Sequence, residues 1–392
     1  MRRHNLSAIV ATSPENIFYA TGYMPFQSVW NRFSKAIVVL LDQPEPILIL
    51  PLAEIAFARD FFGHSGPEVI VFGTSNFITP NSNDLDASEA WIYERSLSPR
   101  RGLIDAIMEV IVRDGAKGGV AVDRTGAPEV FDLLKSRALE REIVDRGEEL
   151  WRLARMVKTP SEIARLSRAA RLNEDAIDAA IAGVGRMSER EIERTYSSVC
   201  HAGGGHLQHW TGGAGLRAGA FHGSNTMVAV PGSRFRFDCG LVLDGYCSDL
   251  GGTLQVGGLP SSVELHTYQA LTAGIDAALH KLESGMKTSN LYALVMDAIR
   301  GAGLPDHKYS MCGHGIGIEP RDYPIIANPM PPSSSFMDTP FDPLIEVGMV
   351  LNIECPMNIL GEGGYQHEVT LVVEDSGARL LSKRREFDVI EL

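Results

Sequence analysis

Apolar and polar positions alternate with period two on both sides of Asp244-Gly245, through Phe237-Asp-Cys-Gly-Leu-Val-Leu before it and Tyr-Cys-Ser-Asp-Leu-Gly-Gly252 after it. Asp-Gly between two such runs predicts a tight two-residue hairpin turn. Leu243 then faces Tyr246, and the ladder runs back until Gly240 faces Asp249. Asp238 lies two residues from Gly240, so its side chain shares a face with that of Asp249, about 7 Å away at the backbone. Like charges that close repel unless a proton or a cation sits between them.

Upstream, the pattern predicts strands over 7–11, 36–41, 47–50, 69–72 and 120–122, with helices over 52–62, 103–114 and 129–137. Strands alternating with helices make residues 1–150 an α/β domain. It carries no evident catalytic set, and its aromatic residues Phe18, Tyr19, Tyr23, Phe26 and Trp30 are expected in a core or an interface. A capping box with proline at the first helical position, Thr159-Pro-Ser-Glu162, opens a second domain, 151–392. Ile163, Leu166, Ala170, Ile177 and Ile181 follow at helical spacing, and Ser188-Glu-Arg-Glu191 is a second capping box. The glycine-rich stretch 202–219, with His206, His209 and Trp210, is expected to be a mobile loop; it lacks the Gly-Lys-Ser/Thr of a phosphate loop. Helices over 262–282 and 289–301 then precede strands over 349–354 and 365–374. Each half of this α+β domain is thus a helix pair followed by a hairpin that carries two acids.

The composition is that of an ordinary soluble globular protein, with 22% charged and 44% hydrophobic residues among 392. A net charge of −13 argues against nucleic acid and anionic membrane surfaces as partners. The most apolar region, 36–58, is broken by Asp42, Pro44, Glu45, Pro46 and Pro51, so no span is expected. Met1-Arg-Arg-His-Asn-Leu-Ser opens a strand rather than a signal peptide, and five cysteines without paired spacing suit a reducing cytoplasm.

Asp238, Asp249, His314, Glu354 and Glu368 form an oxygen-rich set with a single nitrogen. Such a set suits manganese, iron, cobalt or zinc, and four carboxylates can hold two divalent ions. The glycines of Gly313-His-Gly-Ile-Gly317 let backbone pack tightly around the imidazole. A rival set, Cys239, Cys312 and Cys355, is less suited: Cys239 and Cys355 directly follow strand acids and so point to the opposite face.

Together these motifs resemble the creatinase/prolidase/methionine aminopeptidase superfamily of pita-bread fold. The match runs through Asp238-Cys-Gly, Ser-Asp249-Leu-Gly-Gly-Thr, Gly-His314-Gly-Ile-Gly, Asn-Ile-Glu354-Cys-Pro and His-Glu368-Val-Thr-Leu-Val-Val. Val157-Lys-Thr-Pro-Ser-Glu162-Ile resembles the start of that family's catalytic domain. Ser13-Pro-Glu-Asn16-Ile-Phe-Tyr19-Ala-Thr-Gly22-Tyr resembles the creatinase-like N-terminal domain. The resemblance implies a two-metal hydrolase of peptide or amide C–N bonds, usually a homodimer or larger, acting on short Xaa-Pro or N-terminal peptide substrates. Relatives that hydrolyse creatine or ectoine, or cleave dimethylsulfoniopropionate as lyases, make a small non-peptide substrate the alternative. A non-catalytic binding module is a further alternative, disfavoured because all five ligands are present. His222, sixteen residues before Asp238, occupies the place of a catalytic histidine. A second family histidine, seven residues after His314, is replaced here in Arg321-Asp322-Tyr-Pro. Arg321 and Asp322 are therefore the expected substrate-binding residues, with Arg321 suited to a substrate carboxylate.

Overall fold

The computed structural model describes residues 1–24, 35–63, 65–74, 77–78, 81–113, 117–137, 140–328 and 342–392. Phe26 and Trp30 lie outside them. The chain divides into two compact units, Met1–Arg152 and Leu153–Leu392. Among the described residues, no helix is long and apolar enough to cross a membrane.

The first unit is built on a six-stranded mixed sheet. Its strands are β1 (Leu6–Ala11), β2 (Ala36–Leu40), β3 (Ile47–Pro51), β4 (Glu68–Phe72), β5 (Gly119–Val122) and β6 (Ile143–Val144), in the order β4-β3-β2-β1-β5-β6. Its helices are α1 (Pro14–Thr21), α2 (Ile55–Phe62), α3 (Ala87–Ser96), α4 (Leu103–Arg113) and α5 (Pro128–Ser136), and α6 (Gly147–Met156) follows. The strands read as apolar runs because both sheet faces are covered: Ala8, Val10 and Val38 belong to one core, Ala11, Ile37 and Leu48 to another. Ser13 caps α1 by accepting a hydrogen bond from the Asn16 amide. Asn16 in turn donates to Asp123 Oδ2 over 2.8 Å. Tyr23 is buried and donates to Glu54, which also pairs with buried Lys35.

The second unit repeats one plan twice. Helices α7 (Pro160–Ile181) and α8 (Glu189–Ala202) precede β7 (His206–Ala214), β8 (Arg234–Leu243) and β9 (Tyr246–Val256). Helices α9 (Ser262–Lys281) and α10 (Thr288–Gly301) precede β10 (Met311–Gly315), β11 (Asp322–Ala327) and β12 (Val350–Glu354). The chain then adds β13 (Met357–Ile359), β14 (Gly363–Tyr365), β15 (Glu368–Glu374), β16 (Gly377–Leu380) and β17 (Asp388–Ile390). Both capping boxes form, at Thr159 and Ser188. The sheets run β7-β8-β9-β17 and β11-β10-β12-β15-β16, with β13 and β14 as a separate ribbon.

Stretch 202–219 is not the mobile loop expected from its glycines. Its centre is β7, paired antiparallel with β8 from His206 to Ala214. Strand pairing overrides the weak propensity of glycine, since the neighbouring strand supplies the hydrogen bonds. The turn at Asp244-Gly245 has both residues at positive φ, 50° and 80°, as a type I′ hairpin requires.

Each sheet buries one face against its own helix pair. In the first, Trp210, Cys239 and Leu250 stand in one cross-strand row inside an apolar core shared with Ile177 and Tyr196. In the second, Ile353 and Val369 are paired and packed with Leu271 and Leu291. The opposite faces meet through hydrogen bonds: Asn352 Nδ2 donates to the Asp249 carbonyl, and the Gln366 amide donates to Thr253 Oγ1.

Candidate metal centre

Strand alternation decides what lies between the two sheets. On the face of the first sheet opposite the core, one row is His209, Gly240 and Asp249; the next is Thr211, Asp238 and Gly251. Each row contains one glycine where a neighbouring side chain passes. A Cβ at Gly240 would lie 2.4 Å from His209 Cε1, and one at Gly251 would lie 2.8 Å from Glu368 Oε2. Glycine is required at both positions by close approach. His209 Nε2 therefore reaches Asp238 Oδ1 at 3.2 Å and Asp249 Oδ1 at 3.1 Å.

The second sheet answers with His314, Asn352 and Thr370 in one row and Glu354 paired with Glu368 in the next. His314 is buried, and its Nδ1 is 3.0 Å from the Gly315 carbonyl. A carbonyl only accepts, so Nδ1 carries the proton and Nε2 keeps its lone pair. That Nε2 lies 3.8 Å from Asp249 Oδ2. One ligand atom each from Asp249, His314 and Glu368 falls within 4.8 Å of the others, and the same holds for His209, Asp238 and Asp249. Asp249 belongs to both groups.

Neighbouring polar groups hold these side chains in place. Asn352 Nδ2 donates to Glu368 Oε1 over 2.9 Å, and Thr370 donates to Asn352 Oδ1 over 2.6 Å. Gln366 Nε2 donates to Glu368 Oε2, while its own carbonyl accepts from Arg236. Arg236 is also fixed by Asn358 and by the Ala218 carbonyl. Sequence patterning did not single out His209, Asn352, Gln366 or Arg236. The two-residue spacing from Glu354, Glu368 and Asp238 is the signal that flags Asn352, Gln366 and Arg236.

The acids are costly where they stand. Burial, then the charges of Asp238 and Asp249, push the Glu354 carboxyl up to about 8. Burial and the other three acids raise Glu368 well above the usual carboxylate range, and burial with Asp249 raises Asp238. Asp249 goes the other way: burial opposes its ionisation, but His209, His314 and Arg321 together hold it below its ordinary value. Glu354 Oε1 and Asp249 Oδ1 are buried and accept no hydrogen bond. Buried oxygens without donors, beside carboxylates that repel one another, are the donor set a divalent cation satisfies. The residues present thus fit a metal pair.

The remaining expected site residues are placed differently. His222 is half-buried in the segment after β7, its carbonyl accepting from the Gly212 amide. Its imidazole is in neither metal-capable group and makes no hydrogen bond among the described residues. Arg321 is exposed just before β11, and its charge reaches Asp249, Glu354 and His314. Asp322, the other expected substrate-binding residue, stands in a different setting from Arg321. It is fully buried, with Oδ1 3.3 Å from Arg155 and Oδ2 3.7 Å from Lys158. A Cβ at Gly317 would lie 2.5 Å from Asp322 Oδ2, so glycine there leaves room for this carboxylate. Two buried cations lie beside it. The cysteines of the rival metal set, Cys239, Cys312 and Cys355, are all buried free thiols in the two helix-packed cores.

Comparison with known proteins gives a consistent picture. The model described as metallopeptidase family M24 matches residues 164–375, and the creatinase/prolidase N-terminal domain matches 1–157. The YkvY protein of Bacillus subtilis is 25% identical over 378 residues, covering 94% of this chain and 91% of its own. A Xaa-Pro dipeptidase from Pyrococcus furiosus is 25% identical over 233 residues, 58% of this chain and 64% of its own. Among solved structures, prolidase from Pyrococcus furiosus superposes with a TM-score of 0.76 at 20% identity, covering 98% of this chain and 99% of that one. The Xaa-Pro dipeptidase from Bacillus anthracis gives 0.76 at 20% identity, covering 99% and 96%. These likenesses establish the two-domain pita-bread fold. With the family match spanning more than half of its length, the chain belongs to metallopeptidase family M24 and is a metallohydrolase.

Proposed function

We propose that this protein hydrolyses a C–N bond in a short substrate, with an Xaa-Pro dipeptide as the leading class, using two divalent ions. The ions would be held by Asp238, Asp249, His314, Glu354 and Glu368. The observation that carries this is the convergence of Asp238, Asp249 and Glu368 with the lone-pair nitrogen of His314 between the two sheets, beside the buried Glu354, with two carboxylate oxygens lacking donors. When bound, such ions supply Lewis acidity and an acidified water at neutral pH. Manganese, iron, cobalt and zinc all suit the donors. Asp249, with Oδ1 toward His209 and Oδ2 toward His314, would be the carboxylate common to the two ions. His222, whose imidazole is unengaged, is the group for moving a proton to the leaving nitrogen.

Arg321 is assigned to the substrate carboxylate. Arginine cannot shuttle protons at neutral pH but binds carboxylate through two parallel donors. That places the free C-terminus of a dipeptide at the rim and disfavours long peptides. The same feature favours the second reading, a small anionic or zwitterionic non-peptide substrate hydrolysed or cleaved at this site. The homodimer and cytoplasmic location expected from the sequence accompany the proposal, and the buried, free cysteines agree with a reducing compartment.

The test is metal content and steady-state kinetics on one preparation. Up to two transition-metal ions per chain, loss of turnover in chelator, and cleavage of Xaa-Pro dipeptides in preference to longer peptides are expected. Asp249→Ala should lower kcat by at least about a thousandfold, because both ions lose a ligand. Arg321→Ala should raise KM on dipeptides with little change in kcat. Full turnover in chelator would overturn the metal assignment, and efficient cleavage of long peptides would overturn the carboxylate anchor.

A further inference from the structure

The acid cluster has an additional nitrogen on the edge away from His314. We propose that His209 is a metal ligand, binding through Nε2 the ion that Asp238 and Asp249 hold, so that each half of the duplicated unit contributes one imidazole. This rests on the two-ion site proposed above.

Three observations carry it. The first is spacing. Two ligand atoms each about 2.1 Å from one ion and at tetrahedral to octahedral angles lie roughly 3.0–3.4 Å apart. His209 Nε2 is 3.2 Å from Asp238 Oδ1 and 3.1 Å from Asp249 Oδ1. The second is that hydrogen bonding leaves part of this arrangement unexplained. Nε2 bonds to Asp238 Oδ1, yet Asp249 Oδ1, on a residue 7% exposed, accepts no hydrogen bond despite the imidazole beside it. A single N–H serves one carboxylate well; an ion between all three atoms serves both.

The third is the duplication. His209 lies on the first strand after one helix pair and His314 on the first strand after the other. His209 sits beside β8, which carries Asp238; His314 sits beside β12, which carries Glu354. Both rings occupy the face opposite their sheet's core, where Trp210 and Ile353 mark the buried side. Asp249 lies between the two rings, one oxygen toward each. Gly240 is the enabling residue, since any side chain there would collide with the His209 ring.

The experiment uses the full-length protein with Mn(II) as the probe. Electron spin echo modulation, on protein grown with natural or ¹⁵N-labelled histidine and loaded with one and two equivalents, counts directly coordinated imidazole nitrogens. Two are expected in the unaltered protein. His209→Gln should leave one nitrogen and weaken one of two calorimetric Mn(II) binding steps by on the order of 100-fold. Gly240→Ala, which keeps His209 in the chain but displaces its ring, should reproduce that loss. A single coordinated nitrogen in the unaltered protein that persists in His209→Gln overturns the assignment while leaving the two-ion site intact. Failure of the unaltered protein to bind Mn(II), or any of cobalt, iron and zinc, overturns the two-ion proposal itself. The nitrogen count needs no variant, so poor folding of either substitution does not blunt the test.

Discussion

Asn352 shows how much of the site rests on a side chain that does no chemistry. It is fully buried, donates to the Asp249 carbonyl and to Glu368 Oε1, and accepts from Thr370. It thereby ties a strand of one sheet to a carboxylate of the other. Asn352→Leu keeps the volume but strands three polar partners, each costing about 1–3 kcal/mol when left unsatisfied. We expect a loss of several kcal/mol in calorimetric stability, together with Mn(II) affinity reduced about 10- to 100-fold because Glu368 loses its orientation. Unchanged metal affinity in a folded Asn352→Leu protein would show that Gln366 alone positions Glu368. At the same scale, glycine at 240, 251 and 317 is defined by what it leaves room for: an imidazole, a carboxylate and a second carboxylate.

At the scale of elements, the connection from β10 to β11 is anchored from behind. Asp322 opens β11 and is held by Arg155 and Lys158, which flank the entry to α7; Arg155 also pairs with Glu319 at 2.9 Å. Burial works against the charge on Lys158 and lowers its pKa, with Asp322 the main opposing influence. Removing one member of such a group leaves buried charge uncompensated, at a cost of about 3–5 kcal/mol. Asp322→Asn should therefore lower the melting temperature strongly while leaving KM for the true substrate nearly unchanged. A stable variant with a large KM change would instead assign Asp322 to the substrate. Arg321, the preceding residue, sits on this braced connection, so its guanidinium is presented from a fixed base. The helix starts were open to inspection, because a capping box is written in four consecutive residues, as at Thr159 and Ser188.

For the whole molecule, the clustered charges predict how stability responds to pH in the metal-free state. The Glu354 carboxyl rises to about 8, from burial and then its acidic neighbours. For His209, burial opposes the charged form, but Asp238 and Asp249 more than offset it and lift the imidazole to about 10. Both groups hold protons in the folded protein that the unfolded chain releases, Glu354 above about pH 4.5 and His209 above about pH 6.5. More protons bound in the native state means stability falls as pH rises. His367, lowered to about 4 by burial and Arg384, has the opposite slope, but only below its ordinary value. Between pH 6.5 and 8, chelator-treated protein should lose on the order of 2 kcal/mol, read as a falling melting temperature. Saturating Mn(II) should flatten or reverse that slope, since the ions replace the protons. A metal-free protein whose melting temperature rises across this window would contradict the assignment of charge in the cluster.

What the sequence determined by itself was local or periodic. Period-two alternation and the Asp-Gly turn placed Asp238 and Asp249 on one face, and Gly240 does oppose Asp249. The helix pairs and the repetition of helix pair and hairpin were equally legible, because each is set by spacing within some twenty residues. The tertiary structure decided the rest. β7 was hidden by its glycines, since its strand character comes from pairing with β8 across a long connection rather than from propensity. His209 consequently looked like a loop residue until that pairing set it over Gly240, between two carboxylates. Asp322 gave no sign of its buried partner Arg155, which lies 167 residues away in the chain. Pairing between distant segments, and the burial that follows, leave no mark in the local pattern of either partner.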